Sequence, residues 1–137
     1  MQRIAINGFG RIGRNVLRAW FENSKKFQFE IVAINDIADV QTLVHLFKYD
    51  TTHGRFAGQV DIQIDGEHIF LNIQSNQRQL RLQVFNNECP ECLPWKKLNI
   101  DVVLECTGLF RSRADATRHV EAGAKRVIIG AAPFDTV

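Results

Sequence analysis

Gly8-Phe9-Gly10-Arg11-Ile12-Gly13 is the first place in the chain where residue type and spacing together suggest chemistry. A G-x-G-x-x-G run alone is weak evidence, because glycine-rich turns are common. It gains weight when it closes a strand and opens a helix, and the residues on either side have that character. In that setting Gly8 permits a tight turn, Gly10 lets a pyrophosphate approach the backbone, and Gly13 lets the helix pack closely on the strand. Unpaired N–H groups and the positive dipole end near Arg11 and Ile12 then meet the phosphates. The competing reading is a tight strand-to-helix turn that binds nothing. Asp36 decides in favour of a cofactor. It follows the second strand, roughly 20 residues beyond the glycines, where a carboxylate accepts hydrogen bonds from the adenosine ribose. The same charge repels a 2′-phosphate, so NAD is expected rather than NADP. An aspartate at a strand end is also a frequent loop residue, which is the bland alternative.

The cysteines and histidines read more soberly. Cys89-Pro90-Glu91-Cys92 has the spacing of a zinc knuckle or a redox pair. No second pair or histidine stands at ligand spacing, so four-coordinate zinc is not expected. A thioredoxin-like role would need the pair at the start of a helix after a strand. The expectation is a solvated loop with reduced thiols. Cys106 closes an apolar run near the cofactor, yet it has no local base and reads as a packing residue. His53 reads as a loop or subunit-contact residue. His45, His68 and His119 carry no signal beyond a surface position.

These residues need elements to hold them. Arg3 to Asn7 is an apolar run ending in glycines, a buried strand. Ile12, Val16 and Trp20 recur at steps of four between Arg11 and Glu22, one face of a helix. Glu30 to Asn35 is apolar on both faces, as strands of covered parallel sheets are. Asp39 caps a helix to about Tyr49, with Val40, Leu43, Val44 and Phe47 as its stripe. Val60, Ile62 and Ile64 alternate with polar residues, Asp65-Gly66 turns the chain, and His68 to Ile73 runs back, which predicts a hairpin. Leu80, Leu82 and Val84 alternate again. Asp101 to Cys106 is a buried strand, Ser112 caps a helix ending at Gly123, and Arg126 to Gly130 supplies one more strand. The predicted fold is α/β: a Rossmann-type, doubly wound, mostly parallel sheet of order 3-2-1-4-5-6, with an antiparallel insertion near residues 55 to 75.

Composition fits one soluble domain over residues 1–137, expected to be incomplete at its C-terminal end. Hydrophobic residues make up 45% of the 137 and charged residues 23%, enough for a real core. The net charge of +2 is small and dispersed, so a nucleic-acid partner is not expected. No apolar run approaches the roughly 20 residues of a membrane span, and the N-terminus shows no signal-peptide pattern. Three cysteines are too few for a disulfide scaffold, which leaves a reduced, cytoplasmic protein as the expectation.

Ala5-Ile6-Asn7-Gly8-Phe9-Gly10-Arg11-Ile12-Gly13-Arg14 resembles the opening of the glyceraldehyde-3-phosphate dehydrogenase family almost residue for residue. V-A-I-N-D (32 to 36), K-Y-D-T-T-H-G (48 to 54), E-C-T-G-L-F (105 to 110) and G-A-K-R-V-I-I (123 to 129) resemble it too, so the likeness spans the chain. The resemblance implies NAD as cofactor. It implies backbone contacts from Arg11 and Ile12 to the pyrophosphate, with Asn7 shaping that loop and Asp36 on the ribose. Thr107 and Gly108 would lie beside the cofactor, and Phe110 would pack on the adenine. The family's activity is the NAD-dependent, phosphorylating oxidation of an aldehyde in glycolysis, by a homotetramer.

Two segments depart from the pattern. Glu88-Cys89-Pro90 stands where the family often has Arg-Asp-Pro, which removes an arginine from the adenine side. Gly130-Ala131-Ala132-Pro133 replaces a common Ser-Ala-Pro near the nicotinamide ribose. The family's thiolate lies in a Ser-Cys-Thr-Thr-Asn-Cys segment with a histidine base, and neither occurs in these 137 residues. The chain alone is therefore expected to bind NAD without catalysis. Two other readings stay open: the corresponding domain of an erythrose-4-phosphate dehydrogenase, whose relatives usually carry Glu where Asp36 stands, and a free-standing, non-catalytic NAD-binding module.

Overall fold

The computed structural model describes residues 1–22, 28–50, 54–108 and 113–130. The chain opens with β1 (Gln2–Asn7), α1 (Arg11–Glu22) and β2 (Phe29–Asn35), the predicted βαβ unit. Next come α2 (Val40–Lys48) and the two-residue strands β3 (Tyr49–Asp50) and β4 (Gly54–Arg55), which pair antiparallel. Three longer strands follow: β5 (Gln59–Asp65), β6 (His68–Ser75) and β7 (Arg78–Phe85). A 3-10 turn (Pro90–Cys92) leads on to β8 (Val102–Glu105), α3 (Arg113–Glu121) and β9 (Arg126–Ile129).

Seven strands form one sheet of order β5-β6-β7-β2-β1-β8-β9. From β7 to β9 every neighbouring pair is parallel, whereas β5, β6 and β7 pair antiparallel. In the vocabulary of the predicted topology, β7 is strand 3 and the described order is 3-2-1-4-5, with the β5–β6 hairpin added at the strand-3 edge. A sixth parallel strand is not among the described residues. The insertion therefore extends the sheet where it was expected to interrupt it. The connection from β7 to β8 carries only the 3-10 turn.

Strand alternation, reset in β2 by an irregularity between Ile31 and Ala33, divides the core between the two faces. Ile6, Ile31 and Ile34 pack with Leu17, Trp20 and Phe21 of α1 and Leu43 and Phe47 of α2. Ala5 and Ala33 point the other way, onto Trp95, Ile100, Val103, Ala122 and Ala124. Alanines on that second face leave room for the indole of Trp95, which is wholly buried. Asp39 caps α2 as predicted, its side chain accepting from the Thr42 N–H at 2.8 Å. No described helix is long and apolar enough to cross a membrane.

The predicted stripe of α1 is corrected by the structure. Its buried positions are Gly13, Leu17, Arg18, Trp20 and Phe21, while Ile12 is 47% exposed. Gly13 must lie against the sheet, and that requirement turns Ile12 outward. Arg18 enters the core because its guanidinium finds partners there. Its Nη2 donates to the carbonyls of Phe47 (2.7 Å) and Gly54 (2.8 Å). The same group lies over the Phe47 and Phe56 rings, 5.6 and 5.7 Å from their centroids. The two ends of the K-Y-D-T-T-H-G segment are thereby held on α1. His53 and Ser112 lie outside the described residues.

Candidate cofactor-binding site

The C-terminal ends of β1, β2, β7 and β8 surround a cleft of about 500 Å³, bounded by Asn7, Gly8, Gly10, Asn35, Asp36, Ile37, Asn87, Glu88, Pro90, Cys106 and Thr107. Ligands of open α/β sheets bind in this position, at the carboxyl ends of the strands where the winding reverses. The reversal lies between β1, which runs outward through β2, and β8, which runs the other way.

The three motif glycines meet three different constraints. Gly8 has a φ of +92°, and a Cβ there would stand 2.6 Å from the Thr107 nitrogen. Gly13 would bring a Cβ to 2.6 Å from the Gly8 carbonyl and 2.9 Å from Ile6. Both are therefore needed for the protein's own packing. At Gly10 a Cβ would meet nothing within 4 Å. Gly10 is also one of the residues that line the cleft. The Arg14 N–H bonds to the Gly10 carbonyl at 2.9 Å, the first intrahelical bond of α1. Helix geometry leaves the N–H groups of Arg11, Ile12 and Gly13 without intrahelical acceptors, and these are the donors a pyrophosphate requires.

Asp36 holds its position through the backbone. Oδ2 accepts from the Phe9 N–H inside the glycine loop (2.7 Å) and Oδ1 from the Ala38 N–H (2.9 Å). Each oxygen keeps a further lone pair that a ribose hydroxyl can use. Asn86 fastens the same loop, its Nδ2 donating to the carbonyls of Asp36 (3.0 Å) and Ile37 (2.8 Å). Ile37 is 66% exposed beside the cleft, an apolar surface that a flat base could cover. Nothing in the spacing singled out Asn86 or Ile37, because both act through a loop whose course depends on packing.

Beneath the cleft lies a polar network that local sequence reading missed. Glu105, at the end of β8, is 1% exposed and receives four donors. Asn7 Nδ2 and His119 Nε2 reach Oε2, each at 2.6 Å. The Thr107 N–H, at 3.0 Å, and the Thr107 hydroxyl reach Oε1. Trp95 Nε1–H donates to His119 Nδ1 at 3.1 Å, so the imidazole proton stands on Nε2 and points at Glu105. Asn7 Oδ1 in turn accepts from Asn35 Nδ2 at 2.7 Å, and Asn35 exchanges two further bonds with the Asn87 backbone. His119 is thus wholly buried, contrary to its surface reading. Its position in α3 gave no warning, since its partners lie on β8 and beside the 3-10 turn.

The cysteines are corrected in part. Cys89 and Cys92 are joined in a disulfide where reduced thiols were expected. The 3-10 turn brings their Cα atoms to 5.3 Å, within bonding range. Cys106 is free and lines the cleft. Burial, with a smaller contribution from the Glu105 charge, raises its pKa to about 11. It is accordingly a neutral thiol at physiological pH and no ready nucleophile. In the disulfide-intact protein, iodoacetamide should modify Cys106 slowly near neutrality and faster as pH approaches that value, read by mass spectrometry. Rapid labelling at neutral pH would contradict the assignment.

The G-x-G-x-x-G cradle, an aspartate bridging it to the second strand, and Thr107 packed on Gly8 occur together with the family segments already noted. A family model described as "Glyceraldehyde 3-phosphate dehydrogenase, NAD binding domain" matches residues 2–113. The chain belongs to that family. Its cofactor is NAD, and its fold is the Rossmann-type α/β fold expected. Two relatives from Cupriavidus necator H16, named glyceraldehyde-3-phosphate dehydrogenase, plasmid and chromosomal, are each 50% identical over 129 residues. One from Pseudomonas aeruginosa PAO1, also named glyceraldehyde-3-phosphate dehydrogenase, is 47% identical over the same length. In each case the match covers 94% of this chain and 36% of the relative, so the chain spans about a third of the relatives' length.

Of the residues expected to contact NAD, Asn7, Gly8, Gly10, Asp36 and Thr107 border the cleft. Arg11, Ile12 and Gly13 form the first turn of the helix at its edge. Gly108 follows Thr107 with a φ of +76°. Phe110 lies outside the described residues.

Proposed function

We propose that the cleft holds NAD along the route of the family's cofactor, and that the chain supplies this site to a phosphorylating glyceraldehyde-3-phosphate dehydrogenase of glycolysis. The pyrophosphate would meet the N–H groups of Arg11 and Ile12, and Asp36 would accept from the adenosine ribose. Thr107 and Gly108 would face the part of the cofactor nearer the nicotinamide, with Phe110 at the adenine. NAD supplies a hydride acceptor when bound. The chain's own residues bind and orient it. The observation that carries this reading is the contrast among the glycines, two closed by the protein itself and Gly10 open to the cleft.

The 137 residues are proposed to form one domain that does not turn over alone, since the family's reactive cysteine segment is absent and Cys106 is a protonated thiol. A homotetramer in the cytoplasm is the proposed setting of the whole enzyme. Gly10→Ala tests the site directly. Its stability should stay within about 1 kcal/mol of the parent, as an alanine in open space allows. NAD binding by calorimetry should weaken at least about tenfold, because a methyl would stand where the backbone meets phosphate. Unchanged NAD affinity would overturn the placement. An enzyme of the relatives' length that formed no NADH from glyceraldehyde 3-phosphate and phosphate would overturn the reaction, and preference for erythrose 4-phosphate would reassign its substrate.

A further inference from the structure

The C-x-x-C segment is the motif that the cofactor site does not absorb. It has an unusual position. Cys89 and Cys92 close a disulfide across the 3-10 turn, and Pro90 between them is buried in the wall of the cleft. The bond encloses a short loop, so its constraint is mainly local. The loop is tied to other parts of the fold at two of its residues, Cys89 and Glu91. On one side the Cys89 N–H donates to Asn87 Oδ1 at 3.0 Å. Asn87 is bonded through its backbone to Asn35, and Asn35 to Asn7 at the glycine loop. On the other side Glu91 accepts from Arg118 of α3 through Nε (2.6 Å) and Nη2 (3.2 Å). Cys92 is exposed and Cys89 half-buried, so the bridge joins residues at the surface and not in the core.

We propose that Cys89–Cys92 is a thiol–disulfide exchange site for an external dithiol, and that its state sets the affinity of the adjoining cleft for NAD. The thiolate of the dithiol attacks Cys92 Sγ, the S–S bond breaks, and Cys89 leaves as a thiolate that takes up a proton. The second thiol then attacks the mixed disulfide and releases Cys92. The dithiol is oxidised to a disulfide, the protein disulfide is reduced, and the two thiol protons finish on Cys89 and Cys92. With the bond closed, Pro90 and the Asn87 contact are held where they shape the wall. With it open, the turn must be ordered by the cofactor itself, and binding weakens.

The proposal rests on the cleft being the NAD site. The test uses the full 137-residue chain, titrated with NAD in a calorimeter in its oxidised form and after dithiothreitol. Thiols are counted by mass after alkylation. Reduction should expose two additional alkylatable thiols and weaken NAD binding about fivefold, the scale of ordering one or two side chains. The Cys89→Ser/Cys92→Ser variant should bind like the reduced form with or without dithiothreitol. Equal affinity in both redox states would overturn the proposal and leave the NAD site standing. Loss of the folded far-ultraviolet signal on reduction would overturn it too, since the bond would then be a structural staple. Absence of binding in either state would overturn the NAD site, and this proposal with it.

Discussion

Glu105→Ala is expected to lower folding stability by about 3–5 kcal/mol, the scale of taking a shared carboxylate acceptor away from several buried donors at once. The side chain is 1% exposed, and four donors from three residues converge on its two oxygens. Truncation would take the carboxylate acceptor from the buried Asn7 Nδ2 and His119 Nε2–H, and unmade bonds of this kind are more costly than made ones are stabilising. Glu105→Gln should not rescue the loss fully. An amide NH₂ on the Oε2 side would face Asn7 Nδ2 and His119 Nε2–H, and Trp95 already occupies the other ring nitrogen. Turned around, the amide would confront Thr107. Urea denaturation followed by circular dichroism measures the effect. A loss below about 1 kcal/mol would show that the network contributes little, since a typical neutral hydrogen bond accounts for that much. In a double-mutant cycle, Glu105→Ala and His119→Ala should be strongly non-additive, because each orphans the other's partner.

Asp36→Ala should weaken NAD binding about 30- to 100-fold, which corresponds to about 2–3 kcal/mol and is the scale of hydrogen bonds to a charged group. Two effects contribute. The ribose loses its acceptor on the proposed reading, and the Phe9 N–H loses the bond that positions the glycine loop. Comparing NAD with NADP separates them. A carboxylate at this place repels a 2′-phosphate, so its removal should narrow the preference for NAD. If affinity for both dinucleotides fell by the same factor, Asp36 would be acting only through the loop, and its ribose role would fail. Asp36→Asn refines the comparison, since it keeps an acceptor for Phe9 and removes the charge.

Much of the scaffold was legible because it depends on short-range pattern. The apolar runs at Ile4-Ala5-Ile6 and Ile31 to Ile34, the Asp39 cap and the Asp65-Gly66 turn are each determined within a few residues. The glycine motif belongs to the same class, since strand, turn and helix are contiguous. Asp36 could be read because the βαβ unit places the end of its second strand at a nearly constant distance along the chain. The buried face of α1 was misread for an instructive reason. Ile12, Val16 and Trp20 form a valid periodic set, but Gly13 has no side chain with which to announce that its face is the one against the sheet.

Residues whose surroundings come from distant segments were a different matter. His119 is buried because Trp95 and Glu105, 24 and 14 positions away, close around it. Arg18 is buried where carbonyls 29 and 36 positions away accept from its Nη2. Cys89 and Cys92 fit zinc ligands, a redox pair or a solvated loop of reduced thiols by spacing alone, and in the structure they are joined in a disulfide. The sequence by itself determined a parallel α/β core, a glycine cradle, an aspartate at the end of the second strand and the family to which they belong, because each is written in local periodicity or contiguous motif. Only the tertiary structure decided which polar side chains lie in the interior. A buried polar group is tolerated or not according to its hydrogen-bond partners, and here those partners lie far along the chain.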